Sequence, residues 1–260
     1  MNARPGLFTA AALAALAAGG CHYLQGHLME QVKATGPVTD KQAKVDGFDK
    51  MSVEGPFEVL FTVGPTKEIK VEAQKEVLEL TNVMVEGGTL RIFLSKPVST
   101  DKPIKVYVAS PNLTDLKISG ACTFKADGTL AGPLKAEVSG ASTLQATANM
   151  TDLEASGAST ATVKGTKGQS LKLRGSGAST VVVVADVDNV EIEASGASTV
   201  KPGVSAKSAK VNAHGASNVK LAVGDQLDAH ASGASTITYS GAATHVNSQA
   251  EGASSVNHGQ

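Results

Sequence analysis

No tryptophan occurs among the 260 residues, aromatic side chains make up 3% of them, and arginine occurs only at Arg4, Arg91 and Arg174. With 23 Lys+Arg against 24 Asp+Glu and a formal net charge of −1, the chain has no basic field to hold phosphates. It also has no aromatic residues placed to interleave with bases, so nucleic acid is excluded as a partner. Two cysteines, Cys21 and Cys122, are too few for a disulfide framework. The six histidines, His22, His27, His214, His230, His245 and His258, form no His-x3-His pair, and no Cys-x2-Cys occurs, so no metal or other cofactor is expected. The glycines recur at a regular period instead of clustering between a strand and a helix, which argues against a phosphate-cradling loop. Few large side chains remain to fill a core, so the interior must be thin and repetitive, built from Ala, Val and Leu.

What is present begins with an address. Arg4 is followed by the apolar stretch Leu7 to Ala18, about a dozen residues, short of the roughly 20 that span a bilayer. A basic start, a short apolar stretch and small residues describe a secretory signal peptide over residues 1–20. Leu16-Ala-Ala-Gly-Gly-Cys21 is similar to the bacterial lipobox, in which the cysteine is acylated. Cys21 is therefore the expected lipidation site, and the lipid the expected route to a membrane. An ordinary signal peptide with Cys21 incidental is the alternative. Residues 21–43, with Gly26, Gly36 and Pro37 and no sustained period, read as a lipidated tether.

Residues 44–112 alternate. Met51-Ser-Val53, Phe57 to Val63, Ile69 to Ala73, Leu90 to Leu94 and Ile104 to Val108 have the period of two that marks half-buried strands. Gly55-Pro56, Gly64-Pro65 and Gly87-Gly88 mark turns between them. A short helix is expected around Lys75 to Leu80.

From residue 113 to 260 the chain repeats. Ser-Gly-Ala-Ser-Thr and its variants place glycines at 120, 140, 157, 177, 196, 215, 233 and 252, in steps of 20, 17, 20, 19, 19, 18 and 19. A step near 19 residues is one coil of a solenoid. Four residues before each glycine stand Leu116, Ala136, Leu153, Leu173, Ile192, Val211, Ala229 and Ser248, an inward column. Five before stand Asp115, Lys135, Asp152, Lys172, Glu191, Lys210, Asp228 and Asn247. The sign alternates at every step to Asp228, as it must if each charge lies between neighbours about 4.8 Å away on stacked parallel strands. The predicted fold is all-β: a parallel β-helix of about eight coils, right-handed by the default for parallel crossovers. Its open ends would be covered by the N-terminal β region at one end and blunted by the polar tail Asn257 to Gln260 at the other. Cys122 takes the place that later copies give to Ser and reads as a small substitute for it.

Phe48-Asp-Lys-Met-Ser-Val-Glu-Gly-Pro-Phe-Glu-Val, Gly88-Thr-Leu-Arg-Ile, Ile104-Lys-Val-Tyr-Val and Leu113-Thr-Asp-Leu-Lys-Ile-Ser-Gly-Ala, followed by repeated Ser-Gly-Ala-Ser, resemble a bacterial family. It is the one described as putative auto-transporter adhesins with a head GIN domain. The resemblance spans residues 45–256 and implies a β-helical domain on an exported, often lipid-anchored envelope protein. It carries over no catalytic residue.

Function then rests on surface. One of each Ser-Thr pair must face outward, making a candidate ladder of Thr143, Thr160, Thr180, Thr199, Asn218 and Thr236 for an unidentified glycan or protein ligand. The plainer alternative is that these residues serve the stack, as β-branched strand formers and hydrogen-bonding partners. The reading is a non-enzymatic, lipid-anchored cell-envelope protein, an adhesin or display scaffold at the outer membrane or cell surface. One alternative is a periplasm-facing envelope scaffold or stress-related lipoprotein that meets a protein partner. Another is a β-helical polysaccharide-active enzyme, disfavoured because acids alternate with lysines and no inserted loop walls a cleft.

Overall fold

Alternation of apolar and polar residues leaves each strand with one face that must be buried, and here successive copies bury it against each other. The computed structural model describes residues 31–201 and 203–259, so the signal segment and Cys21 lie outside the described residues. β1 (Val32–Lys33), β2 (Val38–Ala43), β3 (Lys50–Glu54) and β4 (Phe57–Val63) come first, followed by β5 (Ile69–Gln74), α1 (Lys75–Leu80), β6 (Thr81–Glu86), β7 (Thr89–Leu94), β8 (Val98–Ser99) and β9 (Ile104–Ser110). The repeat supplies β10 (Asp115–Ser119), β11 (Thr123–Val138), β12 (Thr143–Ala155), β13 (Thr160–Gly175), β14 (Thr180–Ala194), β15 (Thr199–Lys201), β16 (Val204–Ala213), β17 (Asn218–Ala231), β18 (Thr236–Ser240), β19 (His245–Ala250) and β20 (Ser255–His258).

Every pairing within the repeat is parallel, from β10 on β11 to β18 on β20. This is a β-solenoid of about seven turns with a period near 19 residues. The inward column is buried from Leu116 to Ala229, with Leu153, Leu173, Ile192 and Val211 at 0% exposure, whereas Ser248, in the last strands of the stack, is exposed. Bulky side chains gather toward the N-terminal rungs, where Phe61 and Phe124 meet with ring centroids 5.7 Å apart.

The corners explain the repeated glycine twice over. Gly177 has φ +68°, in the left-handed region where a Cβ is strained. A Cβ there would also lie 2.8 Å from the carbonyl oxygen of Gly157 in the preceding rung. That same carbonyl accepts a hydrogen bond from the Ala178 N–H at 2.8 Å, so the parallel ladder runs unbroken through the corner.

The N-terminal region departs from a simple cap followed by a helix. β3 and β4 pair in parallel with β10 and β11, and on their other side with β7 and β9. Residues 50–63 and 89–110 therefore form two further rungs, and the rung made first along the chain is second in space. After β4 the chain leaves the stack, builds β5, α1 and β6, and returns to add the end rung outside β3. The cover itself is antiparallel: β5 on β9, β6 on β7 and β2 on β5. Antiparallel strands satisfy the edge groups of the end rung and stop further parallel addition.

The tether expected over residues 21–43 is ordered in its second half. β1 pairs with β8 and β2 with β5, Ala34 is buried, and the Gly36 N–H donates to the Glu76 carboxylate at 3.2 Å. These strands carry little apolar pattern of their own; pairing with the cover orders them. At the other end Asn257 and His258 belong to β20, so the expected polar tail is part of a rung.

Candidate functional site

Each corner sends two hydroxyl residues in opposite directions, and the structure decides which goes where. Ser142, Ser159, Ser179, Ser198, Ser217 and Ser235 point inward with at most 2% exposure. Four hydroxyls donate to carbonyls of the preceding rung, Ser159 to Val138 O at 3.2 Å, Ser198 to Gly175 O at 3.2 Å, Ser217 to Ala194 O at 3.3 Å and Ser235 to Ala213 O at 2.9 Å, while Ser142 Oγ accepts from the Cys122 N–H at 3.3 Å. Ser179 Oγ is the exception, buried with no partner. Cys122 fills the same inward place, and burial pushes its thiol up to about 12, far from the thiolate form a nucleophile needs.

The following residue faces outward. Thr143, Thr160, Thr180, Thr199, Asn218 and Thr236 are half-buried and stand opposite one another in unbroken register. The ladder is longer than the sequence reading made it: Thr123 precedes Thr143 and Ser255 follows Thr236. Thr123 was discoverable from its offset within Ser-Gly-Ala-Cys-Thr, where the cysteine interrupts the motif.

The strands before each corner present a different face. Asp115, Lys135, Asp152, Lys172, Glu191, Lys210, Asp228 and Asn247 are direct neighbours from rung to rung, as the sign alternation predicts. Lys172 Nζ lies 2.9 Å from Glu191, and Asn247 Nδ2 donates to Asp228 at 3.2 Å. Two residues further on, a second outward column joins in. Lys117 pairs with Glu137 at 2.9 Å, and Arg174 bridges Asp152 at 2.9 Å and Glu193 at 3.4 Å. The hydrogen bond from Lys172 holds the Glu191 carboxyl below the ordinary glutamate range, and that from Lys117 to Glu137 raises the lysine. An acid held ionised by a lysine, as Glu191 is, is poorly suited to giving up a proton in catalysis.

His214 and His230 approach edge to face at 5.8 Å between ring centroids, and His214 Nδ1 is 2.7 Å from Ser232 Oγ. Among the described residues no group of three or more His, Cys, Asp or Glu is placed to hold a metal ion. Nor, among them, is any helix long and apolar enough to cross a membrane.

The family described as "Putative auto-transporter adhesin, head GIN domain" matches residues 47–243, more than half of the chain. Solved structures share the fold. One, described as a putative adhesin from Parabacteroides merdae ATCC 43184, is 19% identical, with a TM-score of 0.77, covering 88% of this chain and 99% of its own. A second, described as a putative lipid binding protein from Parabacteroides distasonis ATCC 8503, is 18% identical, with a TM-score of 0.75, covering 89% and 100%. A third, a putative adhesin from the same strain, is 17% identical, with a TM-score of 0.75, covering 88% and 100%. Among curated proteins no relative matches the sequence.

Proposed function

The chain belongs to the family described as "Putative auto-transporter adhesin, head GIN domain", and on that premise we propose that it is a non-enzymatic display module of the bacterial cell envelope. Cys21 carries the lipid that holds it to a membrane, the residues after it give reach, and the solenoid presents an ordered face to a glycan or protein ligand. The carrying observation is the half-buried Thr and Asn ladder, one residue per rung in continuous register. A rigid array of this kind offers a repeating ligand several equivalent contacts without ordering any loop. The ion-paired state of the charged-face acids favours display over hydrolysis.

Protease accessibility on intact cells tests the placement, with the native chain compared with Cys21→Ala and a periplasmic protein as leakage control. Digestion of the native chain, with release of the variant, is expected. A protected native chain overturns surface display and turns the search to a partner inside the envelope. For the ladder, Thr160→Lys, Thr180→Lys and Thr199→Lys together should abolish attachment while the stack stays folded, at a melting temperature lowered by repulsion between the three adjacent lysines; unchanged attachment removes the ladder as the site.

A further inference from the structure

Like charges on neighbouring rungs repel, and the charged face avoids them along its main column by alternating sign. The ladder face does not. Its second outward column, two residues past the threonines, runs Lys125, Gln145, Thr162, Val182 and Lys201. Thr199 opposite Asn218 and Val200 opposite Val219 then set Lys201 and Lys220 on adjacent rungs, about 4.8 Å apart along the stack. Both are exposed. Among the described residues neither makes an ion pair, and the same holds for Lys164 on this face. In the stretches that follow each ladder position, residues 143–147, 160–164, 180–184, 199–201, 218–222, 236–240 and 255–258, no acidic residue occurs. Folding is not served by two adjacent, uncompensated lysines; an anion placed between them would relieve the repulsion.

Beside the pair the surface is concave. A groove of about 430 Å³ is lined by Ser205, Lys220, Thr238 and Tyr239, with Gly203 and Gly259 leaving it open. Tyr239 stands between Leu221 and His258 in an inward column but is only half-buried, with its ring 5.0 Å from that of His258. A half-exposed tyrosine, flanking hydroxyls and an ammonium group together match the surface of a sugar: ring C–H groups on the aromatic face, hydroxyls on Ser205 and Thr238, an acidic substituent on the lysines.

We propose that the ladder face around Lys201, Lys220 and Tyr239 binds an acidic saccharide, its carboxylate, sulfate or phosphate group held by the lysine pair. This deepens the display reading by naming the ligand class. It is tested on purified protein, so a chain that proves not to be surface-exposed on cells leaves it standing.

Isothermal titration with an oligogalacturonate, a heparin-derived oligosaccharide, a neutral maltooligosaccharide and polyglutamate separates the possibilities. At least one acidic oligosaccharide is expected to bind, with the neutral one not bound. Lys201→Gln with Lys220→Gln should raise Kd tenfold or more. Lys207→Gln, which removes a lysine paired with Asp188 at 2.7 Å on another side of the coil, should change it less than twofold. Tyr239→Leu leaves the charge unaltered and should still weaken oligosaccharide binding severalfold. The proposal is overturned if no acidic oligosaccharide binds at millimolar concentration, if the neutral one binds as tightly, or if the lysine pair and Lys207 matter equally. It is also overturned if Tyr239→Leu changes nothing, which leaves a bare anion site, or if polyglutamate binds as tightly as the sugars.

Discussion

The strands on either side of each corner belong to the same rungs and share one buried core, yet their outer surfaces follow opposite rules. Before the corner, charge alternates from Asp115 to Asp228 and neighbours pair, as Lys172 does with Glu191. After it come threonines, amides, valines and lysines; Lys125 pairs with Glu58 at 3.1 Å, but no described acid offsets Lys164, Lys201 or Lys220. Both faces have the same backbone ladder, so hydrogen bonding cannot account for the difference. A charge column penalises a slipped register, since a slip of one rung brings like charges together. Once one face guards register, the other is free of that duty, and its outward positions can be given to recognition.

The severest way to break this comparison is at the corner, which both faces need. Gly177→Ala adds a Cβ 2.8 Å from the Gly157 carbonyl at φ +68°, so strain and clash combine and a loss of about 5 kcal/mol is expected. A denaturant melt checks it, and a loss below about 1 kcal/mol would mean that the corner relaxes freely. Next comes the shared core. Leu173→Ala, beneath the charged face and fully buried, should cost about 2–5 kcal/mol, and hydrogen exchange should rise on both faces of that rung. Exchange confined to the charged face would show that the two faces unfold separately.

A smaller effect sharpens the role of the inward serines. Ser159→Ala removes a bond to Val138 O and should cost about 1 kcal/mol, whereas Ser179→Ala removes an unpaired buried hydroxyl and should be neutral or stabilising. Equal costs in thermal melts would contradict the hydrogen-bond account.

The smallest effects separate the faces by pH. Glu191 is depressed chiefly by the Lys172 hydrogen bond, so its contribution is complete above the unfolded glutamate value of about 4.3. It is lost as pH falls through and below that value. Glu191→Gln should therefore lower the melting temperature slightly at neutral pH, and native and variant should converge in acid. Thr180→Val, on a face with no acid in that rung, should show no such convergence because it shows little difference at any pH. A pH-independent gap for Glu191→Gln would remove the ion pair as the cause.

Much of this was legible locally. Phe57 to Val63 is β4 to the residue, Lys75 to Leu80 is α1, and the Asp115 to Asn247 column lies in the predicted register. Each depends on short-range rules: alternation for strands, glycine for a left-handed corner, opposite charges for adjacent rungs. β6 was missed because Thr81 to Glu86 alternates weakly, and β1 and β2 because their order comes from partners distant in sequence. The lysine pair escaped notice because Lys201 and Lys220 carry no motif; their adjacency appears only when the rungs are aligned.

By itself, then, the sequence determined the period, the corner, the inward columns and the charged-face register, since these repeat every 19 residues or so and each copy restates the same local constraint. The tertiary structure decided that serine turns inward while threonine turns outward, because the inward hydroxyl has carbonyls of the preceding rung to reach. It also decided that the rung formed by β3 and β4 lies inside the one formed by β7 and β9. Nothing local distinguishes the two orders. The choice follows from long-range pairing, in which the outermost rung had to be the one that an antiparallel cover could close.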